Sequence, residues 1–325
     1  MRRVVAAAAL CCASPALAQS SRIGTWTDPA PHRAGFVTVA PGVQLHYLDF
    51  GGTGPAMLFV PGLGNTAHAF DDLAPAFTDK HHVVAITRRG FGESSHPDGG
   101  YDTPRLVEDL RAAIAGLKLG RVILVGHSIA GEEMNRFASR YPDEIAKLVY
   151  LDAAYDRVAA DSMLNEVFVA PLDLPARPEP TARDTATPAA YVRYVHATRG
   201  VKIPESDIRA RYHYDGWREE ITHAYKSMSA ERPAFRAIRA PALALYAVTD
   251  TFTQLEPWQR SQRRKARGMM AMIRGAESVE KKLREQFRSQ VSKGQVVEIR
   301  GAHHWIFVSH RDAVIAAMRK FLDQP

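Results

Sequence analysis

The chain has very little cysteine: Cys11 and Cys12 are the only two among its 325 residues. Both lie in an N-terminal stretch in which two arginines precede a short apolar run, and the small residues Ala16 and Ala18 follow it. This pattern predicts a secretory signal peptide over residues 1–18, with export to the periplasm or the cell exterior. The mature chain would then have no cysteine, which excludes disulfides, a thiol nucleophile and a thiolate metal site.

Long hydrophobic runs and a strong charge bias are also lacking. The N-terminal apolar run is too short to remain as a membrane anchor, and no internal repeat is evident. The formal charge of +7 falls to +5 when Arg2 and Arg3 are removed with the signal peptide. Glutamates follow the largest basic cluster, so we interpret it as a solvated helix face rather than a site for an anionic partner, and we expect no nucleic acid partner. This cluster comprises Arg260, Arg263, Arg264, Lys265 and Arg267.

What the chain does have is apolar runs of strand length that alternate with segments of helical periodicity. Strands are predicted at 43–49, 56–60, 82–86, 122–125, 148–151, 241–246 and 295–299. Helices are predicted at 103–118, after Ser128 up to residue 140, and at 311–322. Strands that alternate with helices form a parallel sheet with right-handed crossovers.

The alternation stops after Asp156 and resumes near residue 240, with several prolines and some helical pieces between. We therefore predict an α/β fold, a mostly parallel sheet flanked by helices, formed by residues 19–155 and 240–325. Residues 156–239 are predicted to be an inserted helical cap. Such an insertion would lie over the carboxyl ends of the strands, where the active sites of α/β folds are found.

The strongest functional signal is the sequence Gly126-His127-Ser128-Ile129-Ala130-Gly131. A β-branched apolar run precedes it and a helix-compatible segment follows, so Ser128 would occupy a sharp turn between strand and helix. A serine hydroxyl is a weak nucleophile that must be presented to a base, and small neighbours permit the strained turn. Ser128 is therefore the predicted nucleophile.

A glycine-rich turn follows the strand at 56–60, in the sequence Pro61-Gly62-Leu63-Gly64. This turn could aim the backbone N–H of Leu63 at a developing oxyanion, together with the N–H of Ile129 directly after the serine. Donors placed in this way stabilise a tetrahedral intermediate more than the ground state. Leu63 and Ile129 are the predicted oxyanion-hole residues.

A serine nucleophile also needs a base and an acid that orients the base. His304, late in the chain within Gly301-Ala302-His303-His304, is the predicted base. Asp250, a few residues past a buried strand, is favoured as the acid over its rival Asp152, because the loop before Asp250 has the reach. Adjacent histidines rarely converge on one ion, so His303 and His304 are not interpreted as a metal site.

These motifs in this order resemble the α/β-hydrolase fold family. The resemblance covers almost all of the mature chain outside the predicted cap, and its final motif, often Gly-Ala-Gly-His in the family, places His304 on the catalytic position. The family commonly has His-Gly where this chain has Pro61-Gly62, which changes how the loop is braced. Members with aspartate at the elbow are epoxide hydrolases or dehalogenases, and Ser128 argues against both. A further motif of the resemblance is Arg88-Arg89-Gly90-Phe91-Gly92.

The resemblance implies a serine hydrolase that needs no metal or cofactor, and the predicted signal peptide implies that it is secreted. We expect a carboxylesterase acting on a small molecule with an apolar acyl or alcohol group. An aminopeptidase or amidase is the leading alternative, with Glu132 and Glu133 as candidates to bind a substrate amine. Lactonase and C–C hydrolase chemistry, or a non-catalytic binding protein, also remain open. Several aromatic side chains could line an apolar pocket or belong to ordinary core: Tyr191, Tyr194, Tyr212, Tyr214, Trp217, Trp305 and Phe307.

Overall fold

The computed structural model describes residues 26–168, 174, 178–212, 224–249, 251–252 and 255–325. Over these residues the chain forms an eight-stranded sheet in the order β1-β2-β4-β3-β5-β6-β7-β8. The strands are β1 Arg33–Ala40, β2 Val43–Gly51, β3 Ala56–Val60, β4 His82–Ile86, β5 Val122–His127, β6 Ile145–Leu151, β7 Ala242–Val248 and β8 Gly294–Arg300. Strand β2 runs antiparallel to both β1 and β4, and all the other pairings are parallel.

Helices cover both faces of this sheet. They are α1 Thr103–Gly116, α2 Ala130–Arg140, α3 Arg157–Val167, α4 Pro188–Arg199, α5 Glu205–Tyr212, α6 Pro257–Ser261, α7 Ala266–Gln290, α8 Ile306–Ser309 and α9 Arg311–Leu322. In the part of the chain described, no helix is long and apolar enough to cross a membrane.

The central strands are apolar along their whole length because both faces of the sheet are covered. Successive side chains of a strand point to opposite faces. In β3, Leu58 and Val60 pack in the cluster that contains residues of α1 and α2, whereas Met57 and Phe59 pack in the cluster that contains residues of α9. The fold therefore has two apolar layers, one on each side of the sheet.

The predicted α/β architecture with a mostly parallel sheet is confirmed. Strand β1 is missing from the prediction because it is an edge strand whose residues are largely exposed, so its apolar alternation is weak. Between β6 and β7 the chain leaves the sheet to form α3, α4 and α5. The limits of the cap at 156–239 remain a prediction, and the signal peptide at 1–18 lies outside the described residues.

Several parallel strands end at the same edge of the sheet. Val60 of β3 pairs with Gly126 of β5, and His127 of β5 pairs with Leu151 of β6. The turns that follow these strands therefore start side by side. Parallel α/β sheets bind ligands at this carboxyl edge.

Candidate active site

Ser128 lies at the sharp turn between β5 and α2, as predicted. Its φ of 55° is in the left-handed region, a strained conformation for a non-glycine residue and one that lifts the side chain out of the line of the strand. Gly131 permits the close approach of α2, because a Cβ there would lie 1.8 Å from the carbonyl oxygen of Ala153. A Cβ at Gly126 would lie 2.3 Å from Sδ of Met134. The small residues on both sides of the serine are thus required by packing.

His304 follows β8 and meets the serine as predicted. Its Nε2 lies 2.9 Å from Oγ of Ser128, so the hydroxyl can donate its proton to the ring. Its Nδ1 lies 2.6 Å from Oδ2 of Asp152, which accepts the other ring proton. The imidazole thereby has one tautomer in which Nε2 faces the serine as a base. The side chain is about one-third exposed, which leaves the ring accessible to a substrate.

Asp152 directly follows β6 and is nearly buried. Its Oδ1 accepts hydrogen bonds from the Tyr155 hydroxyl at 2.6 Å and from the Ala247 backbone N–H at 3.1 Å. Burial, followed by the charge of Asp152, raises the pKa of Tyr155 well above its ordinary value, so the phenol remains a donor. Asp152 also has a positive φ, 50°. Every oxygen of this carboxylate is therefore engaged and held in place.

The contact between Asp152 and His304 favours Asp152, the rival assignment, over the sequence-based preference for Asp250. That preference rested on the reach of the loop after β7, but β6 ends beside β5 and places its following residue within hydrogen-bond distance of the base. Asp152 was the rival assignment, and its backbone N–H is fixed by Leu245 O at 2.7 Å. Asp250 itself lies outside the described residues.

His127, the last residue of β5, supports the backbone of the base. Its Nε2 lies 3.1 Å from the carbonyl oxygen of His304, and donation from the ring anchors that segment. Burial, and then the nearby His304, hold the pKa of His127 well below its ordinary value, so the ring stays neutral. The ring also packs against Trp305 and Phe307.

The two predicted oxyanion donors lie on adjacent turns. Leu63 follows β3 and Ile129 follows Ser128, and their side chains share one buried cluster. Neither backbone N–H donates a hydrogen bond to another described residue. Both N–H groups are thus available as donors, which an oxyanion hole requires.

A buried ion pair braces the loop that carries Leu63. Arg88 donates to both carboxylate oxygens of Glu133, at 2.6 and 2.8 Å, and its third nitrogen lies 3.3 Å from the carbonyl oxygen of Gly62. Both side chains are almost completely buried. The pair thus supports the loop directly after Pro61, and the motif that starts at Arg88 was the available sequence signal.

The same loop is also held from α5. Asp207, fully buried, accepts hydrogen bonds from the Thr66 N–H and hydroxyl at 2.8 and 2.9 Å, and from the Asn65 amide at 2.8 Å. Arg211 on the same helix lies 3.0 Å from Asp207. No motif in the sequence pointed to this contact between two segments 141 residues apart.

Other candidates from the sequence do not converge on the serine. Glu133 is committed to Arg88, and Glu132 lies 3.1 Å from Arg157 in a buried pair. Both glutamate side chains are almost completely buried, so neither carboxylate is exposed to a substrate amine. Among the aromatic candidates, Tyr191, Trp305 and Phe307 belong to the main core and Tyr194 packs against it, whereas Tyr214, Trp217 and the side chain of Tyr212 lie outside the described residues.

His303, the neighbour of the base, has a separate structural partner that the sequence did not reveal. Its Nε2 lies 2.9 Å from Glu256, which also pairs with Arg199 of α4 at 3.0 Å. The Arg199 guanidinium lies over the Trp305 ring, 4.6 Å from its centre. His303 therefore connects the His304 segment to α4 and α6, whereas His304 alone of the two faces Ser128.

Comparison with known proteins agrees with this architecture. Residues 57–317 match the family model described as the alpha/beta hydrolase family. The chain therefore belongs to the alpha/beta hydrolase family and is a hydrolase, which confirms the resemblance noted from its motifs.

Individual relatives share the fold and part of the sequence. The 2-(acetamidomethylene)succinate hydrolase of Mesorhizobium japonicum is 34% identical over 101 residues, which cover 31% of this chain and 36% of that protein. Epoxide hydrolase 3 of Xenopus tropicalis is 24% identical over 318 residues, which cover 92% of this chain and 80% of the relative. The crystal structure of E-2-(acetamidomethylene)succinate hydrolase matches with a TM-score of 0.62 at 19% identity, covering 90% of this chain and all of that one. The first alignment spans about a third of its relative, and the structural match shows a common fold.

Proposed function

We propose that the protein is a serine hydrolase that cleaves carboxylic esters through an acyl-enzyme on Ser128. One observation carries the proposal: the hydrogen-bonded series in which Ser128 Oγ lies 2.9 Å from His304 Nε2, and His304 Nδ1 lies 2.6 Å from Asp152. A nucleophile within reach of a base that is oriented by a carboxylate is the arrangement that activates a serine hydroxyl.

In the proposed reaction, His304 removes the hydroxyl proton as Oγ of Ser128 attacks the acyl carbon. The resulting imidazolium is stabilised by the Asp152 carboxylate and then gives its proton to the leaving alcohol. Water enters, loses a proton to the same ring, and attacks the acyl-enzyme. The acid is released and Ser128 regains its proton.

The tetrahedral intermediates carry a negative oxygen that needs hydrogen-bond donors. The backbone N–H groups of Leu63 and Ile129 fill this role in the proposal, since they lie on the turns beside Ser128 and have no other partner among the described residues. Removal of a single donor of this kind typically costs about 10²–10³ in rate. The Arg88–Glu133 pair and Asp207 keep the Leu63 loop in position for this task.

We propose an ester substrate with an apolar acyl or alcohol group, because the residues packed around the two oxyanion donors are apolar. The buried cluster that contains Leu63 and Ile129 also contains Phe91, Tyr101 and Met228. The amine-binding role that would favour an aminopeptidase has no such support. Glu133 is paired with Arg88, and burial raises the pKa of Glu132 to about 8, which disfavours the charged form that would bind an amine. Serine in place of aspartate at the elbow likewise argues against epoxide hydrolysis, the activity named for one relative. We also propose that residues 1–18 direct the export of the enzyme and are then removed.

The proposal is tested with p-nitrophenyl esters from acetate to palmitate, assayed on the wild type and on Ser128→Ala. We expect wild-type turnover that Ser128→Ala abolishes, and labelling of the wild type alone by a fluorophosphonate. Ser139→Ala is the matched control, since that serine lies in the last turn of α2, away from the elbow, where its hydroxyl donates to the Arg136 carbonyl oxygen. Two results would contradict the proposal. One is ester turnover by Ser128→Ala equal to that of the wild type. The other is a wild type that is not labelled and hydrolyses neither esters nor arylamides.

A further inference from the structure

Four metal-binding side chains converge at a place that the proposed reaction does not use. Asp28 and His32 lie in the segment before β1, His68 lies in the short 3-10 helix Ala67–Phe70, and Asp71 directly follows that helix. One potential ligand atom from each residue lies within 4.8 Å of all the others. Within the described ranges, this is the one group of three or more such residues that could hold a metal ion.

The distances between these ligand atoms match a small coordination sphere. Oδ2 of Asp28 lies 3.3 Å from Nε2 of His32 and 3.1 Å from Nδ1 of His68. Nδ1 of His68 lies 3.0 Å from Oδ2 of Asp71, and Nε2 of His32 lies 4.0 Å from Oδ1 of Asp71. Ligands at about 2.1 Å around a tetrahedral ion are about 3.4 Å apart, so movements of a few tenths of an ångström would complete the sphere.

An unsatisfied oxygen provides a second, independent observation. Oδ1 of Asp71 is buried and accepts no hydrogen bond from any described residue, and the side chain is only 4% exposed. Burying a carboxylate oxygen without a hydrogen-bond partner costs free energy. A bound ligand or ion would remove that cost and explain the unpaired oxygen. This oxygen faces Nε2 of His32, across the centre of the cluster.

We propose that Asp28, His32, His68 and Asp71 form a binding site for one divalent cation of the zinc type. Two imidazole nitrogens and two carboxylate oxygens are ligands that suit zinc, and with neutral imidazoles the two carboxylates balance its charge. No position is left for substrate when all four side chains coordinate, so the site is structural. It is distinct from Ser128, His304 and Asp152, none of which is among its ligands.

The site would connect three parts of the chain. The ion would fasten the segment containing Asp28 and His32 to the helical turn that follows the Leu63 loop. Ser206 of α5 donates a short hydrogen bond to Oδ2 of Asp71, and thereby orients this ligand from a helix of the predicted cap. Outer partners of this kind typically contribute 10–100-fold to metal affinity.

The test uses untagged protein, stripped with a chelator and titrated with Zn²⁺ and with Co²⁺ as a spectroscopic probe. We expect one ion per chain, tetrahedral Co²⁺ absorption bands, and a higher melting temperature with metal. His32→Gln and His68→Gln should each abolish tight binding, and Ser206→Ala should weaken it about 10–100-fold. His82→Gln is the matched control, because His82 is not one of the four clustered residues and its Nε2 lies 3.1 Å from Asp49; this variant should bind metal as the wild type does.

Two outcomes would overturn the proposal. If the wild-type protein takes up no stoichiometric metal, the four side chains form only a hydrogen-bonded cluster. Metal that binds equally to the His32→Gln and His68→Gln variants would lie elsewhere. Circular dichroism verifies that each variant is folded, and the wild-type cobalt spectrum together with Ser206→Ala decides the question if a histidine variant does not fold. None of these readouts depends on esterase activity, so the proposal can fail or succeed independently of the proposed function.

Discussion

His304 Nδ1 lies 2.6 Å from Oδ2 of Asp152, although the two residues are 152 positions apart. Asp152 directly follows β6 and His304 follows β8, with β7 between these strands. Both residues therefore lie at the same edge of the sheet. Because Tyr155 and the Ala247 N–H bind the other carboxylate oxygen, Asp152 cannot rotate away without losing both contacts.

The buried Arg88–Glu133 pair is predicted to support both the fold and the Leu63 loop. Glu133→Gln leaves the Arg88 charge uncompensated in the interior, and breaking a buried pair in this way costs about 3–5 kcal/mol. We expect the free energy of unfolding to fall by that order and kcat to fall with it, as measured by urea unfolding and ester assays. Glu144→Gln, which breaks the exposed pair with Arg111, should change stability by at most about 1 kcal/mol. Equal effects of the two variants would refute this role.

Asp207 is predicted to position the oxyanion loop from α5. Asp207→Asn replaces an acceptor-only carboxylate with an amide and so loses acceptor capacity toward Thr66 and Asn65. We expect a lower melting temperature and a kcat reduced more than tenfold, about 1.4 kcal/mol in the barrier. Glu205→Gln on the same helix removes only a partly exposed pair and serves as the control. If kcat of Asp207→Asn stays at the control value, the helix does not position the loop.

The raised pKa of Glu132 predicts that the stability of the fold depends on pH. Burial raises its pKa from 4.5 to about 8, with the nearby charge of Arg157 opposing that rise. The folded protein therefore holds this proton more strongly than the unfolded chain, and the stability it contributes falls as pH rises from about 4.5 to about 8. Glu132→Gln should flatten this part of the stability profile, whereas exposed Glu285→Gln should leave it unchanged. Urea unfolding across that pH range measures both, and an unaltered slope in Glu132→Gln would disprove the assignment.

Gly131 is predicted to be indispensable for the serine turn. A Cβ at this position would meet the Ala153 carbonyl oxygen at 1.8 Å, so Gly131→Ala must displace α2 from the segment that follows β6. We expect lower stability and strongly reduced fluorophosphonate labelling of Ser128. Gly99→Ala is the matched control because a Cβ there meets nothing within 4 Å. Normal labelling of Gly131→Ala would show that the turn tolerates the extra atom.

Features with a local sequence signal were predicted well. The turn at Ser128 and the position of His304 follow from apolar runs that end at glycine-rich motifs, and the structure brings the two side chains together. The choice between Asp152 and Asp250 was not decided by the sequence, because both follow buried strands and nothing local shows which strand end is nearer to His304. The structure places Asp152 against the base.

Contacts between distant segments had no comparable signal. Asp207 reaches Thr66 across 141 positions, and its neighbours on α5 show no apolar periodicity that would single it out. Strand β1 was missed for a related reason, since its exposed residues carry little hydrophobic pattern. Tertiary packing, rather than local propensity, decides these features.

The most direct test of the Ser128–His304–Asp152 assignment compares the kinetics of Asp152→Asn and Asp250→Asn on the best p-nitrophenyl ester. Asparagine keeps the size of the side chain but no longer stabilises the imidazolium or fixes its tautomer, a change that lowers kcat about 10⁴-fold in serine proteases with an analogous triad. We predict a kcat loss of several orders of magnitude for Asp152→Asn and near-wild-type kcat for Asp250→Asn. Loss of kcat confined to Asp250→Asn would contradict the assignment of Asp152 as the partner of His304.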